Sequence, residues 1–180
     1  GENGSGKTTL IKIVAGLYPP HDGQILLDGR AVTPETRDDY RQLFTPIFAD
    51  YFLFDDLIQA SGSVPEEAQA YLERLEIAHK VSVVDGVFST TDLSTGQRKR
   101  LALLQAWTEK RPVLVFDEWA ADQDPLFREV FYHQLLPELK AKGKTVLVIT
   151  HDDRYFHLAD RYIKLDYGQA VETGVGAGPS

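Results

Sequence analysis

The stretch Gly1-Glu-Asn-Gly-Ser-Gly-Lys-Thr8 opens the chain and decides the fold. Its outer two glycines stand five residues apart and are followed by Lys and Thr, which is the pattern of a phosphate-binding loop. Glycines let the backbone turn its N–H groups towards phosphate oxygens. The helix after such a loop points its positive N-terminal end at the same anion. The stretch therefore predicts a loop and helix that bind the phosphates of a nucleotide.

Two side chains of this stretch have specific predicted roles. Lys7 is expected to neutralise charge on the β and γ phosphates during catalysis, and the Thr8 hydroxyl is expected to complete the ligand shell of a Mg²⁺ ion. For the motif alone, a chance glycine-rich turn ahead of a helix stays the alternative. The predicted nucleotide-binding residues are Gly1, Asn3, Gly4, Ser5, Gly6, Lys7, Thr8 and Thr9.

Composition restricts the class of partner. The 180 residues suffice for one domain with an inserted subdomain. A formal charge of −8 and a pI near 5.1 disfavour a nucleic-acid partner, because such proteins usually present a basic face to phosphate. The sequence has no cysteine, so it predicts neither a disulfide nor a thiolate metal site. It also lacks an apolar run of about 18 residues, the length that would predict a membrane span.

Local patterns predict helices and short β segments in the first third and helices alone in the middle third. No strand is expected between the helices of the middle third, which reads as a helical insertion. The expected elements are a helix over 7–17, a β-rich segment over 24–27, a hairpin turn at Asp28-Gly29, a capped helix over 33–40, an apolar run over 43–48, and helices over 55–60, 65–75 and 96–109.

Sheet signals return in the last third. Residues 113–116 and 146–149 are short continuous apolar runs, the pattern of strands covered on both faces in a parallel sheet. A helix is expected between them over 126–141, and Pro137 should distort its last turns. The glycine-rich segment 175–180 is predicted to be disordered. A phosphate-binding loop normally follows a buried strand, so we expect the sequence to be a fragment that lacks the strand ahead of Gly1.

Two adjacent carboxylates follow the first of these apolar runs. Asp117 and Glu118 come directly after residues 113–116, at the end of a strand where open α/β sheets bind ligands. Asp117 is predicted to hold Mg²⁺, and Glu118 to act as the general base that polarises the attacking water. The alternative is structural, since acids commonly cap the next helix.

The stretch Leu93-Ser94-Thr95-Gly96-Gln97 resembles the LSxGQ signature of the ABC ATPase family. Ser94 and the backbone around Gly96 stand at the start of a predicted helix, where a hydroxyl and N–H donors can meet a phosphate. Alone, the stretch would be an ordinary helix cap. Between the phosphate-binding loop and the carboxylate pair, it is specific for that family.

The resemblance covers nearly the whole chain and implies an α/β fold. That fold is a RecA-like P-loop NTPase core with a parallel sheet and an inserted helical subdomain, and here the N-terminal strands of the core are expected to be missing. The implied divisions are 1–48 and 109–174 for the two parts of the core, 49–108 for the helical subdomain with the signature, and 175–180 for the tail.

Further family positions are implied one by one. His151 resembles the switch histidine that contacts the γ-phosphate and orients Glu118. Asp124 falls at the D-loop aspartate, six residues past Glu118, and would also cap the helix that begins at Pro125. One position departs from the family: Ala49 stands where the Q-loop glutamine is usual. Asp50 is the nearest side chain able to replace it as a Mg²⁺ ligand.

Other polar residues are expected to be structural. The basic run 98–100 is interpreted as the solvated face of the signature helix, whose apolar face would be Leu101, Leu104 and Trp107. The remaining histidines show no spacing typical of metal ligands. They are His21, His79, His133 and His157.

Segments 93–104, 117–125 and 150–156 resemble bacterial ABC exporters of cyclic peptides and siderophores, in which permease and ATPase share one chain. This resemblance implies hydrolysis of ATP with Mg²⁺ at the cytoplasmic face of the bacterial inner membrane. It also implies an ATP sandwich between two copies, each offering its signature to the other, and no nucleic-acid partner. The alternatives are a soluble ABC ATPase acting in DNA or ribosome processes, and the ATPase of another ABC transporter class.

Overall fold

The computed structural model of the chain describes residues 6–48, 68–85, 87–90, 92–108 and 110–176. Short strands alternate with helices along this part of the chain. The helices are α1 (Lys7–Val14), α2 (Arg37–Arg41), α3 (Ala68–Arg74), α4 (Thr95–Thr108), α5 (Pro125–Val130) and α6 (Leu136–Ala141). The strands are β1 (Leu26–Leu27), β2 (Arg30–Ala31), β3 (Phe44–Ile47), β4 (Val83–Val84), β5 (Val87–Phe88), β6 (Val113–Asp117), β7 (Thr145–Ile149), β8 (Tyr162–Asp166) and β9 (Gln169–Gly174).

Three parallel strands form the sheet that carries the site, in the order β3-β6-β7. The central strand β6 pairs on both sides and is almost wholly buried. This explains why its sequence is a continuous apolar run rather than an alternating one. The two predicted strands of a parallel sheet are therefore confirmed, and so is the α/β class. The expected burial holds for β6, whereas β7 is buried only at Ile149.

The first helix and the first hairpin agree with the sequence pattern. α1 starts after Gly6, whose φ of 83° only glycine adopts easily, and it ends at Val14, three residues short of the expected end. β1 and β2 form an antiparallel hairpin whose turn residues, Asp28 and Gly29, have φ angles of 50° and 77°. Two positive φ angles are required by the tight hairpin turn that this pair predicted.

The middle of the chain is not wholly helical. α3 and α4 confirm two of the predicted helices, and the one over 55–60 lies outside the described residues. Between α3 and α4, however, β4 and β5 form an antiparallel hairpin, so the expectation of no strand there is wrong. Each strand has only two residues, which is too short for an alternating pattern to be visible in the sequence.

The helix expected over 126–141 is interrupted as its proline requires. A π-helical turn, Phe131–Leu135, separates α5 from α6 and lies directly ahead of Pro137. Proline lacks an N–H, and its ring would clash with the carbonyl of His133, four residues earlier, in a regular helix. The wider π turn relieves that clash, so the predicted distortion is confirmed.

Aromatic packing fixes the end of β6. The ring of Trp119 stacks on Phe131 at 4.3 Å between centroids, and Phe116 meets Phe131 edge-on at 5.3 Å. All three side chains are fully buried. Because Asp117 and Glu118 lie between these anchored rings in sequence, the two carboxylates extend from a rigid part of the core.

The described chain closes with the antiparallel hairpin β8–β9, which the sequence reading did not identify. Its strands are mostly exposed, so they lack the continuous apolar run that marked β6 and β7. None of the described helices has both the length and the hydropathy that crossing a bilayer requires.

Candidate active site

The N-terminal end of α1 meets the carboxyl end of β6. The Thr8 hydroxyl donates a hydrogen bond to Oδ2 of Asp117 at 2.9 Å. Lys7 is the first residue of α1, and Thr9 is exposed on the same turn. The structure thus joins two motifs that are 109 residues apart in sequence.

Asp117 has the character of a cation ligand. It is 2% exposed, and its Oδ1 is buried with no hydrogen-bond partner within the described ranges. Burial raises the pKa of its carboxyl, with a smaller contribution from Glu118, and the Thr8 hydrogen bond opposes the rise. A divalent cation would instead favour the charged carboxylate.

The donor set around Asp117 suits Mg²⁺. A carboxylate and a hydroxyl are hard oxygen donors, and Mg²⁺ commonly uses one or two protein ligands and takes the rest from water and phosphate. In the part of the chain that the structure describes, no group of three or more His, Cys, Asp or Glu residues could hold a metal. Thr8 and Asp117 therefore fit Mg²⁺ bound together with a nucleotide better than a site made by protein alone.

Glu118 has an unusual backbone conformation held by three hydrogen bonds. Its φ is 49° and its ψ is 29°, in the left-handed region that non-glycine residues seldom adopt. Its N–H donates to the Ile149 carbonyl at 3.1 Å, while its own carbonyl accepts from the Ala121 N–H at 3.1 Å and from Lys99 Nζ at 3.3 Å. Such strain persists where surrounding structure imposes it, often at functional sites.

His151 and Glu118 both line one open depression of about 70 Å³, together with Arg128 and Tyr132. His151 is exposed and follows the end of β7, where the next residue, Asp152, is held by Arg154 through two hydrogen bonds of 2.8 and 2.6 Å. Those hydrogen bonds are the main cause of the lowered pKa of Asp152. The structure thus brings the two residues predicted to act on the attacking water and the γ-phosphate to one depression.

The signature residues form the start of α4. The Ser94 hydroxyl accepts from the Gln97 N–H at 3.3 Å, and the Gln97 side chain accepts from the Ser94 N–H at 3.2 Å, which is a capping box. Ser94 and Thr95 are exposed, whereas Leu93 is buried. Ser94 thus stands at a helix N-terminus open to solvent, as predicted.

Gly96 allows α4 to approach the segment after Glu118. A Cβ at this position would lie 2.7 Å from the carbonyl oxygen of Asp122, which is shorter than any real contact. The Gln123 side chain also donates to the Gly96 carbonyl at 3.1 Å. The glycine of the signature therefore has a packing reason in this chain.

The interpretation of the basic run as a solvated face is wrong for two of its three residues. Arg98 is exposed, but Lys99 is 4% exposed and Arg100 is 8% exposed. Lys99 pairs with Asp122 at 2.7 Å, and Arg100 pairs with Asp124 at 2.7 Å. The two acids are distant in sequence, so a local reading of the helix gave no sign of this pairing. The expected apolar face is confirmed, since Leu101 and Leu104 are fully buried and the half-buried Trp107 packs against the same core.

Asp124 has two structural contacts. Its Oδ1 accepts from the Phe127 N–H at 2.9 Å and so caps α5, as predicted, while Oδ2 accepts from Arg100. The backbone hydrogen bond is the largest contribution to the lowered pKa of Asp124.

The other predicted residues, Gly1 to Ser5 and Asp50, lie outside the described residues, so their roles stay predictions.

Comparison with known proteins gives consistent results. The sequence profile described as ABC transporter matches residues 1–121. The chain is 54% identical to the ATP-binding protein SyrD of Pseudomonas syringae pv. syringae, covering 95% of this chain and 31% of that protein. It is 35% identical to an ATP-dependent lipid A-core flippase of Ralstonia nicotianae, covering 97% of this chain and 32% of that protein. The chain therefore spans about a third of the length of these relatives.

Solved structures share the fold. A bacterial Atm1-family ABC exporter with ATP bound superposes with a TM-score of 0.78 at 24% identity, over 97% of this chain and 32% of that chain. CbiO1 of Clostridium perfringens, part of the ABC transporter complex cbiONQ, superposes with a TM-score of 0.74 at 26% identity, over 97% of this chain and 74% of that chain. Together with the profile match, these findings show that the chain belongs to the ABC transporter family, as its ATP-binding ATPase domain.

Proposed function

We propose that this chain is the motor domain of an exporter and that Glu118 is the general base of its ATP hydrolysis. The observation that supports this most strongly is that Glu118 and His151 line one depression, while Asp117, the residue before Glu118, accepts a hydrogen bond from Thr8. A base must lie within reach of the water that it activates, and a fixed backbone at Glu118 keeps its carboxylate at that edge.

The described residues divide the chemical work. Thr8 and Asp117 would hold Mg²⁺ bound with ATP, and the ion would supply positive charge at the phosphates. Lys7 adds positive charge at the β and γ phosphates. Glu118 accepts the proton of the attacking water, while His151 contacts the γ-phosphate and keeps Glu118 in orientation. The helix α1 supplies its positive N-terminal end to the same anion.

Replacing Glu118 by Gln in the complete protein tests the catalytic assignment. Phosphate release should fall by about 10²- to 10⁴-fold, because a general base contributes about that much, while ATP still binds. Glu172→Gln is a matched control, since Glu172 is half-exposed on β9 and bonds to Tyr162. Turnover in Glu118→Gln within about threefold of wild type would refute the assignment, since that loss lies far below what removing a general base costs.

A second copy of the chain is proposed to complete the site. Ser94 is exposed at the N-terminus of α4, so it can offer its hydroxyl and nearby N–H groups to ATP held by another copy. Each copy would then provide Lys7 and Glu118 to one nucleotide and its signature to the other. Binding of ATP draws the copies together, and hydrolysis releases them.

The remainder of the exporter is proposed to be a membrane-spanning permease in the same polypeptide. This fits the finding that the chain spans about a third of the relatives' length. The ATPase would then lie on the cytoplasmic face of the bacterial inner membrane, as in the exporters that it resembles. An acidic surface with a formal charge of −8 supports the absence of a nucleic-acid partner.

The proposed cargo is a cyclic peptide or a siderophore-like compound. Support comes from segments 93–104, 117–125 and 150–156, which resemble exporters of that class. The second candidate is a lipid, because several relatives carry the name lipid A-core flippase. ATP turnover of the complete protein in lipid nanodiscs, measured with each cargo class added, separates the two: the proposal expects stimulation by the peptide class and none by lipid A-core.

A further inference from the structure

Lys99 connects the signature helix to the catalytic strand end through three contacts. Its ammonium lies 2.7 Å from Oδ2 of Asp122 and donates to the Glu118 carbonyl at 3.3 Å. Its own backbone carbonyl accepts from the Trp119 indole N–H at 2.9 Å. One residue of α4 therefore binds both ends of the turn 118–122 and the aromatic anchor within it.

Stability alone is a poor reason for this arrangement. Lys99 is 4% exposed, and removing an ammonium from water is costly even when it gains a partner. Its partner, Asp122, has a side chain that is 48% exposed, so solvent weakens the attraction between them. An apolar side chain of similar length would fill the space without that desolvation. What Lys99 adds is a fixed direction for the Glu118 carbonyl.

That carbonyl is part of the strained conformation of Glu118. The left-handed φ of 49° is held on one side by the bond from the Glu118 N–H to Ile149 and on the other by the bonds from Ala121 and Lys99 to the carbonyl. Losing the Lys99 donor lets the peptide after Glu118 rotate. The Glu118 carboxylate would then change its orientation, although the side chain itself is unchanged.

We propose that Lys99 is a positioning residue for hydrolysis, held by Asp122 and acting through the Glu118 carbonyl. This assignment rests on the proposed role of Glu118 as the base. It also links the signature to the catalytic carboxylate within one copy. Gly96 packs against the Asp122 carbonyl, so a shift of the first turn of α4, when Ser94 meets a phosphate, is passed to the turn 118–122.

The test compares kcat and KM for ATP in the complete protein. Lys99→Met keeps the length and apolar stem but removes the donor. Its kcat should fall at least tenfold, because a small misplacement of a catalytic group is about that costly, while KM for ATP stays within about twofold. Lys99→Gln, which keeps an N–H donor of similar reach, should recover part of the loss. Lys140→Met is the control, because Lys140 pairs with Asp160 on the surface away from the site.

Asp122→Ala provides a second variant, in which the side chain that is replaced is itself half-exposed. It frees the Lys99 ammonium from its anchor and should lower kcat by about threefold or more, again with KM unchanged, because a freed donor misplaces the carboxylate only partly. If Lys99→Met fails to fold, the kcat of Asp122→Ala tests the proposal in its place. Wild-type kcat in a folded Lys99→Met or Asp122→Ala protein, or a loss confined to KM, overturns the proposal.

Glu118→Gln measured in the same series separates the two claims. If that variant keeps its turnover, the proposed base is wrong, and the assignment of Lys99 falls with it. If Glu118→Gln is inactive while Lys99→Met matches Lys140→Met, only the assignment of Lys99 is overturned.

Discussion

Two groups of polar residues lie near the end of β6. They differ in whether protein groups provide the hydrogen-bond and ion-pair partners of their charged side chains. In the ionic hub, made of Lys99, Arg100, Asp122, Gln123 and Asp124, each charged group meets a protein partner. In the catalytic edge, made of Thr8, Asp117, Glu118 and His151, one oxygen of Asp117 is buried without a partner within the described ranges. The protein supplies the partners of the hub, whereas we propose that bound Mg²⁺ and nucleotide complete the edge.

Arg100→Met should give the largest effect on stability, because it breaks the hub. The Arg100 guanidinium donates to Gln123 at 2.9 Å, to the Leu75 carbonyl at 3.1 Å and to Asp124 at 2.7 Å, and it lies over the Phe127 ring. Its loss leaves the buried Gln123 oxygen and the Leu75 carbonyl without this donor, at a cost of about 1–3 kcal/mol for each unsatisfied group. Asp124 is half-exposed, so losing its ion pair adds little. Hydrogen exchange of the α4 and α5 amides in the complete protein measures the loss, and a value under about 1 kcal/mol would contradict the description of the hub as a closed network.

Gly96→Ala should have an intermediate effect, because it separates the hub from the signature helix. The new methyl group would meet the Asp122 carbonyl at 2.7 Å, so α4 must move. Overpacking of this kind costs about 1–3 kcal/mol, and we expect ATP turnover to fall with it. Glu73→Ala, at an exposed position of α3, is the control and should leave both stability and turnover near wild type. Equal behaviour of the two variants would show that the close approach is not needed.

Asp117→Asn should have the smallest effect on stability, and its sign should depend on the ligand. Burial raises the pKa of Asp117 in the fold above its ordinary value of 3.8, so the folded state binds more protons than the unfolded state between these two pKa values. Stability from this group therefore falls as pH rises through that window and stays low at neutral pH. Without nucleotide, Asp117→Asn should unfold at a higher temperature than wild type at pH 7.

Addition of Mg²⁺ and ATP should reverse that order, because ligand binding stabilises only the protein that still has the carboxylate. Thermal unfolding at pH 5 and pH 7, with and without Mg²⁺-ATP, measures both signs. The exposed Asp153→Asn variant is the control and should follow wild type throughout. If Asp117→Asn is less stable than wild type without ligand, burial of the charged Asp117 carboxylate does not destabilise the fold, which contradicts this prediction.

The catalytic edge was predictable from sequence and the hub was not. Asp117 and Glu118 follow a continuous apolar run, and Thr8 follows a glycine pattern, so contiguous residues reveal both. The hub pairs α4 with acids that lie beyond the next strand, and neither partner is unusual in its own neighbourhood. Charged residues on a helix are usually solvated, so only tertiary packing shows that Lys99 and Arg100 are buried.

In the fold, too, some features were predictable from contiguous residues and others were not. The two parallel strands β6 and β7 and the distortion ahead of Pro137 follow from local chemistry, namely apolar runs and a missing N–H. The hairpin β4–β5 was missed because its strands have two residues each, and β8–β9 because its strands are mostly exposed. Strand pairing of that kind is decided by contacts between segments, which periodicity within one segment does not report.

In the proposed arrangement this chain carries half of an ATP site and a second copy supplies the signature. Disulfide cross-linking can detect that arrangement, because the sequence has no cysteine and an introduced pair is unambiguous within it. Ser5→Cys and Ser94→Cys are combined with Glu118→Gln in the complete protein, with any other cysteine removed. We predict a disulfide-linked dimer that forms with Mg²⁺-ATP and not without it, whereas a protein that binds ATP yet stays monomeric under oxidation would contradict the claim.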